Sequence, residues 1–368
     1  MSDPSEIPFD ELITALLDEA TPLPPRYLYR LSDLEGEEVN RLVAVWPSLP
    51  LWRRQALMED LEELGAKDDL LSFEAIGRHA IKDSDPRVRT LAVRLLWEFD
   101  AEDLSLVFMD LLETDQEAEV RAAAASGLGQ YVYFGEVDEL TVDQLRHVEE
   151  RLLYAVNHDE APAVRRKALE SLGYSSRPEV PGLIEQAFQS EDKDWMVTAL
   201  LAMGRSMDSR WEGSILSKLN SKIPAVRAEA ARAAGELEIA ASLASLVDLT
   251  EDSEEIVRSA AIWSLSQIGG EQARQTLENL YREADDDEEA DFLEIALDNL
   301  AFTEGLQPFS LLDFGDDKAE QEFYDELLAE EDEWEDEEDD GYDLFSIEED
   351  DDFLDSDDFT EDDEDFQD

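Results

Sequence analysis

The sequence predicts an all-α fold: a right-handed α-α superhelix, or solenoid, followed by a disordered acidic tail. Three observations lead there. A degenerate motif recurs, first as Asp83-Ser84-Asp85-Pro86-Arg87-Val88-Arg89 running through Ala92 to Leu96, then as Val120-Arg121 with Ala124 and Leu128, and again as Val164-Arg165 with Ala168 and Leu172. Aligned on the Val of Val-Arg, the copies anchor at Trp52, Val88, Val120, Val164, Trp195, Val226, Val257 and Phe292, with spacings of 36, 32, 44, 31, 31, 31 and 35 residues. A period this steady signals stacked supersecondary units rather than one closed core. Finally, apolar residues fall three or four apart throughout, and no alternating strand-like run competes with them.

Residues 1–32 read as a cap. Phe9, Leu12, Ile13, Leu16 and Leu17 share one side of a helix, and Thr21-Pro22-Leu23-Pro24-Pro25 breaks it, because proline removes a donor and restricts its predecessor. Residues 33–304 hold about eight helix-turn-helix units. In each, the helix carrying the anchor is preceded by another: Leu70 to Ile81, Leu104 to Leu112, Leu145 to Val156, Val180 to Phe188, Leu243 to Leu249 and Ala273 to Tyr281. Within the anchor helix, positions 0, +4 and +8 lie at 0°, 40° and about 80°, one stripe. Position +4 is alanine in every unit, from Ala56 to Ala296, which lets a second helix approach closely. The 44-residue spacing marks an insertion around Tyr131-Val132-Tyr133-Phe134-Gly135-Glu136. Being aromatic, it is expected to pack on a neighbouring unit.

The motif Asp159, Val164-Arg165, Ala168 and Leu172-Gly173 resembles HEAT repeats, in particular the short bacterial kind related to phycobilisome lyases. The resemblance covers roughly residues 34–304 and is closest at 83–99, 115–129, 159–173 and 252–269. It departs where Trp195-Met196 and Phe292-Leu293 lack the arginine and where Ser221 replaces the aspartate. The resemblance implies a scaffold, with a bilin lyase or isomerase subunit as the alternative.

Charge bounds the partners. The 368 residues carry a net charge of −67, and residues 313–368 hold 32 acidic residues against the single basic Lys318. Such a chain repels nucleic acid and anionic membranes and attracts a protein partner with a basic surface. An acidic chaperone or nucleic-acid mimic for a basic protein is a further alternative. The tail, 305–368, has too little apolar content for its charge to bury a core, apart from an amphipathic helix expected at 318–334. There is no cysteine, which removes disulfides and thiolate chemistry. Neither a leader peptide nor a membrane span is visible, so a cytoplasmic protein is expected.

No enzyme chemistry is legible. His79, His147 and His158 lack partners at metal-ligand spacing, no phosphate-cradling glycine loop occurs, and no cofactor is expected. The near-calcium loop at Asp336, Glu338, Asp340 and Gly341 has Ile347 where the bidentate glutamate belongs. The Val-Arg arginines are expected to bridge the aspartate five residues before the valine and nearby turn carbonyls. What remains is a surface. Positions +2 and +6 of the anchor helix lie opposite the core stripe, on the side expected to line the concave face. There Arg94, Arg166 and Arg232 are basic, and Val197, Leu201 and Trp263 are apolar where solvent is expected. These six are the expected partner-binding residues, since arginine and aromatic side chains are favoured interface anchors.

Overall fold

The computed structural model describes residues 7–310 except 69, 100, 285 and 286. The chain divides into two units, Met1–Phe309 and Ser310–Asp368. The helix expected at 318–334 and the calcium-like loop lie outside the described residues. Among those described there are helices and turns and no strand.

The cap is α1 (Phe9–Leu17) and α2 (Arg26–Tyr29). Phe9, Leu12 and Leu16 are buried, whereas Leu17, expected beside them, is exposed. Eight pairs follow: α3 (Gly36–Val45) with α4 (Leu51–Gly65), α5 (Glu74–Ala80) with α6 (Pro86–Leu95), α7 (Glu102–Thr114) with α8 (Ala118–Glu136), and α9 (Val142–His158) with α10 (Pro162–Ser171). The stack continues with α11 (Val180–Phe188) and α12 (Lys193–Arg205), α13 (Glu212–Leu216) and α14 (Pro224–Glu236), α15 (Leu243–Leu249) and α16 (Glu255–Ile268), then α17 (Glu271–Glu283) and α18 (Asp287–Ser310).

The anchor stripe forms the core. Val88, Ala92 and Leu96, Val120, Ala124 and Leu128, Val164, Ala168 and Leu172, Val226, Ala230 and Ala234, and Val257, Ala261 and Leu265 are all fully buried. Each large apolar side chain so buried contributes about 1.5–3 kcal/mol. The alanines let successive second helices from α4 to α16 pack directly on one another, while the first helices touch their counterparts far less. Unequal spacing of two layers curves a stack, and the tightly packed layer lies on its inner side. The insertion lengthens α8. Tyr131 is buried, with its hydroxyl 2.9 Å from the Ala101 carbonyl, and Phe134 packs on the core.

The first unit departs from the expected register. Trp52 is exposed and Arg53 is buried; Leu57 and Leu61, not Ala56, complete the stripe. A cation thus occupies the anchor position. Arg53 Nη2 donates to the carbonyls of Asp18 and Thr21, at 2.6 and 2.7 Å, which fixes the arm behind α1 to the solenoid. Leu70, expected to begin a first helix, lies before α5 and is exposed.

Candidate functional site

Each repeat turn is tied by its aspartate. The carboxylates of Asp83, Asp115, Asp159 and Asp252 accept the backbone N–H two residues on, at 2.8–3.0 Å. Ser190 and Ser221 do the same with their hydroxyls, at 3.1 and 3.2 Å.

Arg89, Arg121, Arg227 and Arg258 bind carbonyls of their own turn, as expected, but the carboxylates that the first three grip belong to the following repeat. Arg89 donates through Nε and Nη2 to Asp115 (2.8 and 2.9 Å), Arg121 to Asp159 (2.8 and 3.1 Å) and Arg227 to Asp252 (both 2.8 Å). Arg54 lies 3.0 Å from Asp83 in the same sense. The reason is geometric. With Nη1 held on its own turn carbonyls, the guanidinium's remaining edge presents two parallel N–H groups, a match for a carboxylate. The Asp115, Asp159 and Asp252 carboxyls are all held below the usual carboxylate range. At Asp115 and Asp159 burial pushes upward, and the arginine and backbone hydrogen bonds outweigh it; at Asp252 the Arg227 bond is the largest influence.

The six expected binding residues sit at the predicted register of α6, α10, α12, α14 and α16. Arg94 is exposed and lies 3.7 Å from Glu62. Arg166 lies 3.8 Å from Asp194, and Arg232 donates to Glu229 at 3.0 Å. Val197, Leu201 and Trp263 are half-buried rather than open to solvent, and Ala228, at an expected outward position, is fully buried. Neighbouring second helices approach too closely to leave position +2 free.

At the N-terminal end of this stripe, a groove of ≈ 670 Å³ runs across α6, α8 and α10, walled by Thr90, Arg94, Trp97, Ala122, Ser126 and Lys167 among others. Thr90 Oγ1 and Trp97 Nε1 are buried without a hydrogen-bond partner. Sequence reasoning passed over Trp97 and Lys167, which lie at +9 and +3, off the two positions considered.

Further along, the stripe is edged by acids that sequence reasoning also missed. Glu229 is buried, and burial raises its pKa. Burial first, and Glu229 second, push the Glu236 carboxyl up to about 7. Glu236 lies over Gly204, where any Cβ would collide with its carboxylate. The readable signal was a polar residue directly after the small one at +9: Arg205, Glu236 and Gln267 all follow that rule. A carboxyl raised on folding contributes most below its unfolded value, 4.5, and its contribution is lost as pH rises through 7. Glu236→Gln is therefore expected to stabilise the protein by about 1–2 kcal/mol at pH 8, discounted for solvent access, with the gain shrinking toward zero near pH 4.5. Urea unfolding at both pH values measures it, and an equal effect at each would contradict the assignment.

Two of the histidines have defined contacts. Burial pulls the His79 pKa down, and its ring meets Trp46 edge-on at 5.5 Å. His158 stacks on Tyr154, with Nδ1 3.0 Å from the Tyr154 carbonyl. Among the described residues, no group of three or more histidines and carboxylates is placed to hold a metal. No helix there is long and apolar enough to cross a membrane.

The family model for HEAT repeats matches residues 74–148 and 213–297. No curated protein sequence matches the chain. Among solved structures, the chain is similar to the E. coli protein YibA, at 18% identity over 77% of this chain and 99% of that one, with a TM-score of 0.40. It is similar to human deoxyhypusine hydroxylase in complex with glycerol, at 18% identity over 71% and 95%, TM-score 0.31. It is also similar to importin beta, at 15% identity over 79% and 46%, TM-score 0.40.

Proposed function

Because this chain carries HEAT repeats in two stretches of its solenoid, we propose that it is a non-enzymatic scaffold that binds protein partners along its second-helix face. The observation that carries this reading is the groove across α6, α8 and α10. It encloses ≈ 670 Å³, and two polar atoms of its wall residues lack hydrogen-bond partners. Buried polar groups are nearly always paired, so a bound polypeptide completes what the fold leaves open. From Arg94 at this groove, the face continues through Arg166, Val197, Leu201 and Arg232 to Trp263. Residues 313–368 add electrostatic capture of a partner with a basic surface.

The test is recovery of partners by the full chain beside variants of the face. Trp263→Ala, at a side chain type that dominates interface energies, is expected to weaken binding about 30-fold. Raising salt is expected to weaken capture steeply, since a charge-led encounter is screened. Partners no more basic than average, held equally in high salt and by the variant, would sink the proposal.

A further inference from the structure

Between Arg89 and Asp252, the ladder of arginines and carboxylates has one rung with only half its parts. Met196 stands where an arginine would face Ser221, so that junction lacks both members. At the preceding junction the arginine is present and the carboxylate is not: Arg165 faces Ser190. Ser190 keeps the turn, its hydroxyl accepting the Asp192 N–H in the role the aspartates fill elsewhere, but it offers no second oxygen to the repeat before it.

The consequence is visible at the side chain. Arg89, Arg121 and Arg227 each make two hydrogen bonds to one carboxylate. Arg165 Nε is buried without a hydrogen-bond partner, and its guanidinium lies over the Trp195 ring, 5.8 Å from its centre. Three carboxylates on adjoining elements are engaged elsewhere: Asp159 by Arg121, Asp192 by the Asp194 N–H, and Asp194 with Arg166. Beside Arg165 opens a cavity of ≈ 320 Å³. Its polar lining is neutral and able to donate hydrogen bonds, from Asn157, Gln186 and Ser190, and Trp195 closes one side. The corresponding cavity one repeat earlier is walled by Glu113, Asp115, Asp159 and Glu160, with Arg121 already satisfied by Asp159.

We propose that Arg165 is the centre of a carboxylate-binding site at the junction of the fourth and fifth repeats, where a ligand carboxylate takes the place of the absent aspartate. The guanidinium's free edge offers Nε and Nη2, the two donors that Arg89, Arg121 and Arg227 use, and this fork fits a planar carboxylate better than a tetrahedral anion. The site lies at the turn end of the repeats, at position +1, and is independent of the face discussed above. The protein's net negative charge is screened at ordinary salt, where fields fade over about 8 Å, so local geometry governs.

The test uses the full chain labelled with ¹⁵N, reading arginine Nε–Hε signals by NMR at constant ionic strength. Arg165→Lys removes one signal and so assigns it. Acetate and hexaglutamate are then titrated separately, with inorganic phosphate as the third arm. The expected result is a saturable shift of the Arg165 signal while those of Arg89, Arg121 and Arg227 stay still. Saturation by hexaglutamate at a concentration at least 10-fold lower than by acetate identifies an acidic protein segment as the source. Saturation at comparable carboxylate concentrations identifies a free small acid. Ser190→Asp supplies the carboxylate within the chain and is expected to abolish the response and raise the melting temperature. No saturable shift with either carboxylate, an equal response to phosphate, or an unchanged response in the Ser190→Asp protein would each overturn the proposal.

Discussion

Arg121→Ala is expected to destabilise the solenoid by about 3–5 kcal/mol, the range for removing one partner of a buried ion pair. Both side chains of the pair, Arg121 and Asp159, are only 9% exposed. The guanidinium also donates to the Asp115 and Gln116 carbonyls at 2.9 and 3.1 Å. The truncation thus strands a buried carboxylate and two turn carbonyls across two repeats. Burial then dominates at Asp159, whose pKa should move from below the ordinary value to above it. The rung's contribution is present above the unfolded carboxylate value, about 3.9, and is lost as pH falls through the lower folded value. The difference between wild type and Arg121→Ala should therefore be large at pH 7 and close below pH 4. A variant also carrying Asp159→Asn should recover part of the loss, because the stranded charge is gone. Urea unfolding followed by circular dichroism measures all three proteins; a loss under 1 kcal/mol at pH 7 would show the rung to be ornamental.

Arg53→Ala should cost about 2–4 kcal/mol, since hydrogen bonds from a charged donor contribute about 1.5–3 kcal/mol and Arg53 makes two of them in a buried position. The effect should be local. With the Asp18 and Thr21 carbonyls released, α1 and the proline arm lose their attachment to α4, and limited proteolysis should cut within residues 18–25 while the later repeats stay protected. Uniform loss of protection along the chain would mean that Arg53 serves the whole stack rather than its end.

Sequence alone showed the fold because its signal is redundant. The Val, Ala and Leu stripe repeats at one spacing, so a degenerate copy is corrected by its neighbours. That redundancy failed at the first unit, where no Val-Arg dipeptide marks the register and Trp52 was the natural apolar anchor. Arg53 reads as a surface residue until the cap arm that buries it is placed. The ladder was half legible. Asp and Arg within one motif are close in sequence, so pairing within the repeat was the natural expectation; forward pairing depends on the rotation between units, which spacing does not encode. The half-buried Val197, Leu201 and Trp263, expected on the open side, reflect the close approach of alanine-bearing helices, a three-dimensional fact. Glu229 was missed for the same reason: a glutamate on a helix is expected in water, and only packing shows otherwise.

The forward reach of each arginine has a consequence for how such a chain can grow. A segment cut from one turn to the next carries an aspartate for the arginine before it and an arginine for the aspartate after it. Copied and spliced in tandem, that segment restores both of its joints without a new interface having to arise. Lengthening by duplication is then nearly free of structural penalty, and the copies can diverge on their outer stripe while the joints hold the register.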